Sequence, residues 1–140
     1  MPFLTIFIDF IHNMTSSPKS QLGLLYIAHL LISADGVIDA KEYEALSKIK
    51  NKESISDSLF KEFEIAVKGK KERDIYTEGI DLLNDCTDEE KLNSFVHLYK
   101  MTEVDGRVHV KEVRLLLYTI KSAGIEFNDV VARAQALTNY

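Results

Sequence analysis

The sequence predicts an all-α fold: a compact bundle of seven or eight helices built as two pseudo-symmetric helix–loop–helix halves. Three observations predict it. Apolar residues recur at helical spacing through nearly the whole chain after residue 17. No stretch alternates as a strand between turn dipeptides. A loop-and-helix segment near residues 33–46 returns 70 residues later, at 103–116. The chain of 140 residues, 46% apolar and 28% charged, is long enough to bury a core of its own as one domain. With one cysteine, Cys86, no intrachain disulfide can form, and a reducing cytoplasm is the expected compartment. Acids outnumber bases 22 to 17, which argues against a nucleic-acid partner.

The first element is a separate apolar segment, residues 1–16, ahead of a helical domain at 17–140. Phe3, Leu4, Ile6, Phe7, Ile8, Phe10 and Ile11 make it apolar, and Asp9 interrupts it. With no Lys or Arg before Lys19 it does not read as a secretory signal, and it is too short for a spanning helix. An extra helix packed on the core is preferred to a homodimer contact or a membrane-surface anchor, since anchors carry a basic polar face. Met14 opens Met-Thr-Ser-Ser-Pro and is an alternative start.

Ser17 followed by Pro18 is an N-cap with proline at the first helical position. The helix it opens carries Leu22, Leu24, Leu25, Ile27, Leu30 and Leu31, apolar nearly all round, and reads as the central buried helix. It stops at Asp35-Gly36, and Asp39 with Glu42 forms a capping box for the next. A third helix runs from Asp57 to Lys68 and stops at Gly69. The basic turn Lys68–Arg73 reads as a solvated loop, with a docking patch for an acidic partner as its functional alternative. Lys71 to Asn84 follows, with Gly79 a mild weakness. Thr87 and Glu90 form a second capping box, opening a helix with Leu92, Phe95, Val96, Leu98, Tyr99 and Met101. The next starts near His109 and ends at Gly124, and Asn128 caps the last, which reaches Tyr140.

The repeat holds the chemistry. Ser33-Ala34-Asp35-Gly36-Val37-Ile38-Asp39-Ala40-Lys41-Glu42 matches Glu103-Val104-Asp105-Gly106-Arg107-Val108-His109-Val110-Lys111-Glu112, and Leu46 matches Leu116. A calcium-binding EF-hand is excluded, because Leu31 and Met101 stand where its first acidic ligand belongs. Asp39 and Glu42 are explained as caps at the positive end of a helix dipole, and Gly36 and Gly106 as left-handed helix ends. Asp35 and Asp105 are harder to explain, since each follows a helix C-terminus, where the dipole is negative. Loop amides, Lys41 or Lys111, or a cation would compensate them.

This paired Ala-Asp-Gly-x-Ile-Asp-x-x-Glu pattern resembles the TerB-like (tellurite-resistance TerB) family over residues 18–125. The resemblance implies an all-helical cytoplasmic domain without established catalytic activity, taking part in membrane-associated stress-response assemblies. It also implies an acidic cluster for a divalent cation, carried by position onto Asp35, Asp39 and Glu42 of the first loop and Asp105 and Glu112 of the second. His109 replaces the aspartate expected opposite Asp39, and Arg107 lies within the second loop. Histidine suits zinc but is a poor ligand for calcium or magnesium. No J-domain signature accompanies the pattern.

Other chemistry is sparse. Cys86 lies between Asp85 and Asp88, which would raise its thiol pKa. His29 and His97 read as satisfied core histidines. No phosphate loop, nucleophile elbow or paired Cys/His metal motif is present, so no enzyme is expected. The expected function is a non-enzymatic binding module whose two Asp-Gly loops, with His109, form a site for a divalent cation or a basic protein partner. The alternative is a structural interaction domain in which the loops are only helix caps.

Overall fold

The computed structural model describes residues 16–32, 40–104 and 110–136, with side chains given outside 103–112. These form seven helices and, among the described residues, no strand. They are α1 (Pro18–Ile32), α2 (Ala40–Lys52), α3 (Asp57–Val67), α4 (Glu72–Asn84), α5 (Asp88–Val104), α6 (Val110–Ser122) and α7 (Phe127–Ala136). The predicted all-α bundle is the observed one. The apolar segment expected at 1–16 lies outside the described residues apart from Ser16.

α1 is the central helix because it has no polar face to give to solvent. It packs against α2, α3, α4, α5 and α6, and Leu24, Leu25, Ile27, Ala28 and Leu31 are all buried. Its tightest neighbour is α4, and two glycines make that approach possible. A Cβ on Gly23 would lie 2.9 Å from Leu83 Cγ, and one on Gly79 would lie 3.0 Å from Ile27 Cδ1 and 3.1 Å from Tyr26 Cβ. The expectation that Gly79 merely weakens its helix is therefore corrected. Its missing side chain is what lets α4 sit on α1.

The two halves correspond far beyond the loop motif. α1, α2 and α3 begin at 18, 40 and 57, and α5, α6 and α7 begin at 88, 110 and 127, each 70 residues later. Individual hydrogen bonds repeat at the same offset. Ser17 Oγ accepts from Ser20 N at 3.1 Å, and Thr87 Oγ1 from Glu90 N at 3.1 Å. Gln21 Nε2 donates to the Glu53 carbonyl at 3.0 Å, and Lys91 Nζ to the Ala123 carbonyl at 3.0 Å.

α2 and α6 close with the same Schellman turn. Ile55 N donates to Lys50 O at 2.9 Å and Ile125 N to Ile120 O at 3.2 Å, with Ser54 and Gly124 in the left-handed region at φ 53° and 74°. Core positions agree too: Leu25 with Phe95 and Leu46 with Leu116 are buried pairs 70 apart. A 70-residue unit of three helices thus occurs twice, and α4 is the described helix without a described counterpart.

Several boundaries differ from expectation. α4 starts at Glu72, with Lys71 at the N-cap. Asn128 does not cap α7 but lies in its first turn; Asp129 N and Val130 N donate to Glu126 O at 3.1 and 3.3 Å, so the helix begins at Phe127, two residues earlier than an Asn128 cap would start it. It extends to Ala136 among the described residues, and the stretch expected to reach Tyr140 falls outside them.

Candidate functional site

The candidate residues lie in and beside the two segments that join consecutive helices in each half. The first links the end of α1 to Ala40 of α2, and the second links the end of α5 to Val110 of α6. Of the six candidate ligands, Asp35, Asp39, Asp105 and His109 lie outside the described residues. Glu112 is in the first turn of α6, its side chain also outside the description. Glu42 is described: it sits in the first turn of α2 and is only 3% exposed. A carboxyl group taken that far from water is compensated by hydrogen bonds or an opposite charge, or is held protonated. Among the described residues, no group of three or more His, Cys, Asp or Glu side chains could hold a metal ion.

The ends of α1 and α5 opposite the loops are joined by a polar cluster. Glu90 closes the predicted capping box, with Oε1 accepting from Thr87 N at 3.2 Å. Its Oε2 accepts from Ser17 N at 3.0 Å, so one carboxylate serves the N-termini of both central helices. Burial alone would raise its pKa, but these bonds outweigh it and hold the group below its ordinary value. Ser20 Oγ and Ser94 Oγ share a buried hydrogen bond of 3.3 Å between the same helices.

A second acid, Glu53, carries more than its place at a helix end suggested. Its Oε1 accepts from Asn93 Nδ2 at 2.6 Å and lies 2.5 Å from His97 Nε2. Burial pushes the Glu53 pKa up, yet the bonds and charge interaction with His97, with help from Asn93 and Ser16, leave it lowered. His97 is thus a partnered core histidine, as expected. No local motif marks Glu53, because its partners come from a helix 40 residues away.

His29 departs from expectation. It is 3% exposed and packs edge-on against Phe63, ring centroids 6.0 Å apart, but its Nδ1 has no hydrogen-bond partner in the protein. Burial lowers its pKa, a trend that Glu72 partly opposes. His29 is among the residues lining a cavity of about 230 Å³, with Leu30 of α1, Val67 of α3, Gly69 and Lys70 of the basic turn, and Glu72 and Ile75 of α4. Lys70 is not simply a solvated base: it pairs with Glu78 and lies 6.0 Å from the Tyr26 ring centroid.

Cys86 has a raised pKa, but burial is the leading cause, with Glu90 and Asp85 adding to it and Asp88 taking no part. Its thiol donates to Leu82 O at 3.2 Å, so it is a packed thiol and not a poised nucleophile. No helix among the described residues is long and apolar enough to cross a membrane. Comparison with protein-family models, with characterised proteins and with solved structures finds no match to the chain.

Proposed function

We propose that this chain is a non-enzymatic binding module of the TerB-like type, whose two Asp-Gly loops bind a divalent cation or a basic segment of a protein partner. The observation that supports this most is the 70-residue correspondence of the helices flanking the loops. It gives 33–39 and 103–109 the same register in a duplicated scaffold, although α5 runs on to Val104 where α1 stops at Ile32, and both segments carry an aspartate near a helix C-terminus, where the dipole alone disfavours one. Asp35, Asp39, Glu42, Asp105 and Glu112 would supply hard oxygen donors suited to a divalent cation, with His109 shifting the second loop toward zinc. The mechanism is electrostatic: clustered carboxylates repel one another, and a cation or a Lys- or Arg-bearing partner relieves the repulsion. A cytoplasmic role in tellurite resistance or stress response, with a membrane-associated partner, belongs to the same reading.

The alternative, an interaction domain whose loops are only caps, is favoured by one observation. The Thr87–Glu90 box is a reciprocal cap in geometry, so this chain does use that motif structurally.

Thermal unfolding after chelation, with and without calcium, magnesium, manganese or zinc, separates the two. Ligand at about 100 times its dissociation constant stabilises by roughly 2.7 kcal/mol. A shift lost in the folded Asp35→Asn, Asp105→Asn double variant supports the cation site. No shift with any ion, together with no binding of a Lys/Arg-rich peptide, leaves the loops as caps.

A further inference from the structure

We propose that residues 3–11 dock as a helix on one stripe of α5, in the way α4 docks on α1, so that the occupant of this face is the chain's own N-terminal segment. The inference does not depend on the Asp-Gly reading. It selects among the three uses the sequence leaves open for this segment and names the surface that receives it. Residues 3–11 lie outside the described residues, whereas the receiving stripe lies within them.

α4 approaches α1 at Gly23, Tyr26 and Ile27. The residues 70 further on are Asn93, Val96 and His97, and with Lys100 they stand at i, i+3, i+4 and i+7 of α5, on one face. Ser94 turns toward α1, where it bonds to Ser20, and Tyr99 turns toward α7, its ring centroid 5.9 Å from that of Phe127. The stripe therefore lies on a third side of the helix. All four of its residues are buried or half-buried, Val96 at 1% exposure. Glu53 meets the polar edge at Asn93 and His97, and keeping Val96 from water takes an apolar neighbour as well.

The repeat supplies that neighbour. Residues 3–11 align with 75–83 of α4 at an offset of 72. Thr5, Ile8 and Asp9 are identical to Thr77, Ile80 and Asp81, and Phe3, Leu4, Phe10 and Ile11 match Ile75, Tyr76, Leu82 and Leu83 in apolar or aromatic character. The link from Ile11 to the Ser17 cap is two residues longer than the link from Leu83 to the Thr87 cap, which accounts for 72 here beside 70 elsewhere. Phe7 stands for Gly79, and Asn93 for Gly23. Without those glycines the crossing widens from about 8 Å toward about 10 Å between axes, and a phenylalanine fills the added space.

The tether favours this occupant over a second copy. Ser17 N donates to Glu90 Oε2 at 3.0 Å, which fixes the near end of the segment beside the first turn of α5. Residues 12–16 reach about 17 Å when extended, and so short a link gives an effective concentration on the order of millimolar.

Isotope-edited nuclear Overhauser spectra of the full chain test the docking. Contacts are expected from the Phe7 ring to the Val96 methyls and the His97 ring, and from Ile11 to Asn93. These are the counterparts of the approach of Gly79 to Tyr26 and Ile27 and of Leu83 to Gly23. In a mixture of isotope-labelled and unlabelled chains, the contacts are expected within one chain. The proposal is overturned if no contact joins residues 3–11 to this stripe, or if the contacts pass between chains. It is equally overturned if Asp9, which stands 70 residues before Gly79, takes the place of Phe7 against Val96.

Discussion

The two central helices use equivalent positions in opposite ways. On α1, Gly23 and Ile27 form the seat for α4, an apolar crossing in which the glycine removes the last obstacle. Seventy residues on, α5 has Asn93 and His97, and these hold the partly buried carboxylate of Glu53. One scaffold position thus tolerates a dry helix crossing or a satisfied polar network. What it cannot tolerate is half of either, since a buried acid without its donors or a crossing with an extra methyl has no outlet. The duplication fixes where helices begin and end, while the residues at each crossing decide what packs there.

Seventy residues before α4 lies 2–14, outside the described residues. In sequence, Phe3, Leu4, Phe7, Ile8, Phe10 and Ile11 have the spacing of Ile75, Tyr76, Gly79, Ile80, Leu82 and Leu83, displaced by two positions. This strengthens the proposal that residues 1–16 supply an eighth helix. If so, deleting residues 2–13 is expected to be the most damaging change, costing roughly 5 kcal/mol for several buried apolar side chains. Denaturant unfolding with sedimentation measures both readings. Unchanged stability would refute the packed helix, and a dimer that dissociates on deletion would favour the homodimer contact.

Gly23→Val comes next. The added atoms meet Leu83 and the Gly79 carbonyl, and overpacking of this kind costs about 3 kcal/mol. The equivalent change Asn93→Val acts differently, by leaving Glu53 short of a donor. Equal and small losses in both variants would show that the tight crossing is not what orders α4.

Glu53→Gln is expected to cost about 2 kcal/mol at neutral pH, because it weakens charge-assisted bonds inside the fold. The sign of the pH dependence follows from the lowered pKa of Glu53 in the folded state. Its contribution is fully present above the unfolded carboxylate value, for which 4.5 is the ordinary figure, and fades as pH falls through the lower folded value. Stability curves of the parent and variant should therefore converge in acid. A gap that stays constant from neutral pH down to pH ~3 would rule out the ionised carboxylate as its source.

The caps, the central apolar helix and the repeat were legible in the sequence because each is written in neighbouring residues. Ser17-Pro18, Thr87 with Glu90, and the stops at Gly69 and Gly124 all act within a turn or two, and the structure places each where the local pattern put it. The role of Gly79 and the partners of Glu53 were not legible, since both depend on side chains dozens of residues away that share no periodicity with them. The unsatisfied His29 was hidden for a related reason. A histidine in an apolar run is usually satisfied, and only the arrangement of α1, α3 and α4 around it shows that this one is not. Of the proposed Asp-Gly site, sequence supplied the residue list and the 70-residue match between its two segments, and Glu42 is the candidate whose side chain is described, at a buried position.

The smallest predicted effect is also the most direct test of the duplication. Ser54 and Gly124 occupy the same place in matching Schellman turns, both with positive φ, but only glycine takes that backbone without steric cost. The first half therefore carries a strain that the second has relieved. Ser54→Gly is expected to stabilise the protein by about 1 kcal/mol, and Gly124→Ser to destabilise it by a similar amount. Ser54 is exposed and nothing lies within 4 Å of a Cβ built on Gly124, so neither change is confounded by packing. Making both changes together should restore nearly the parental stability, as the strain is moved from one half to the other. If Ser54→Gly is neutral or destabilising in chemical denaturation, the two turns are not energetically equivalent, and the correspondence between halves is one of shape alone.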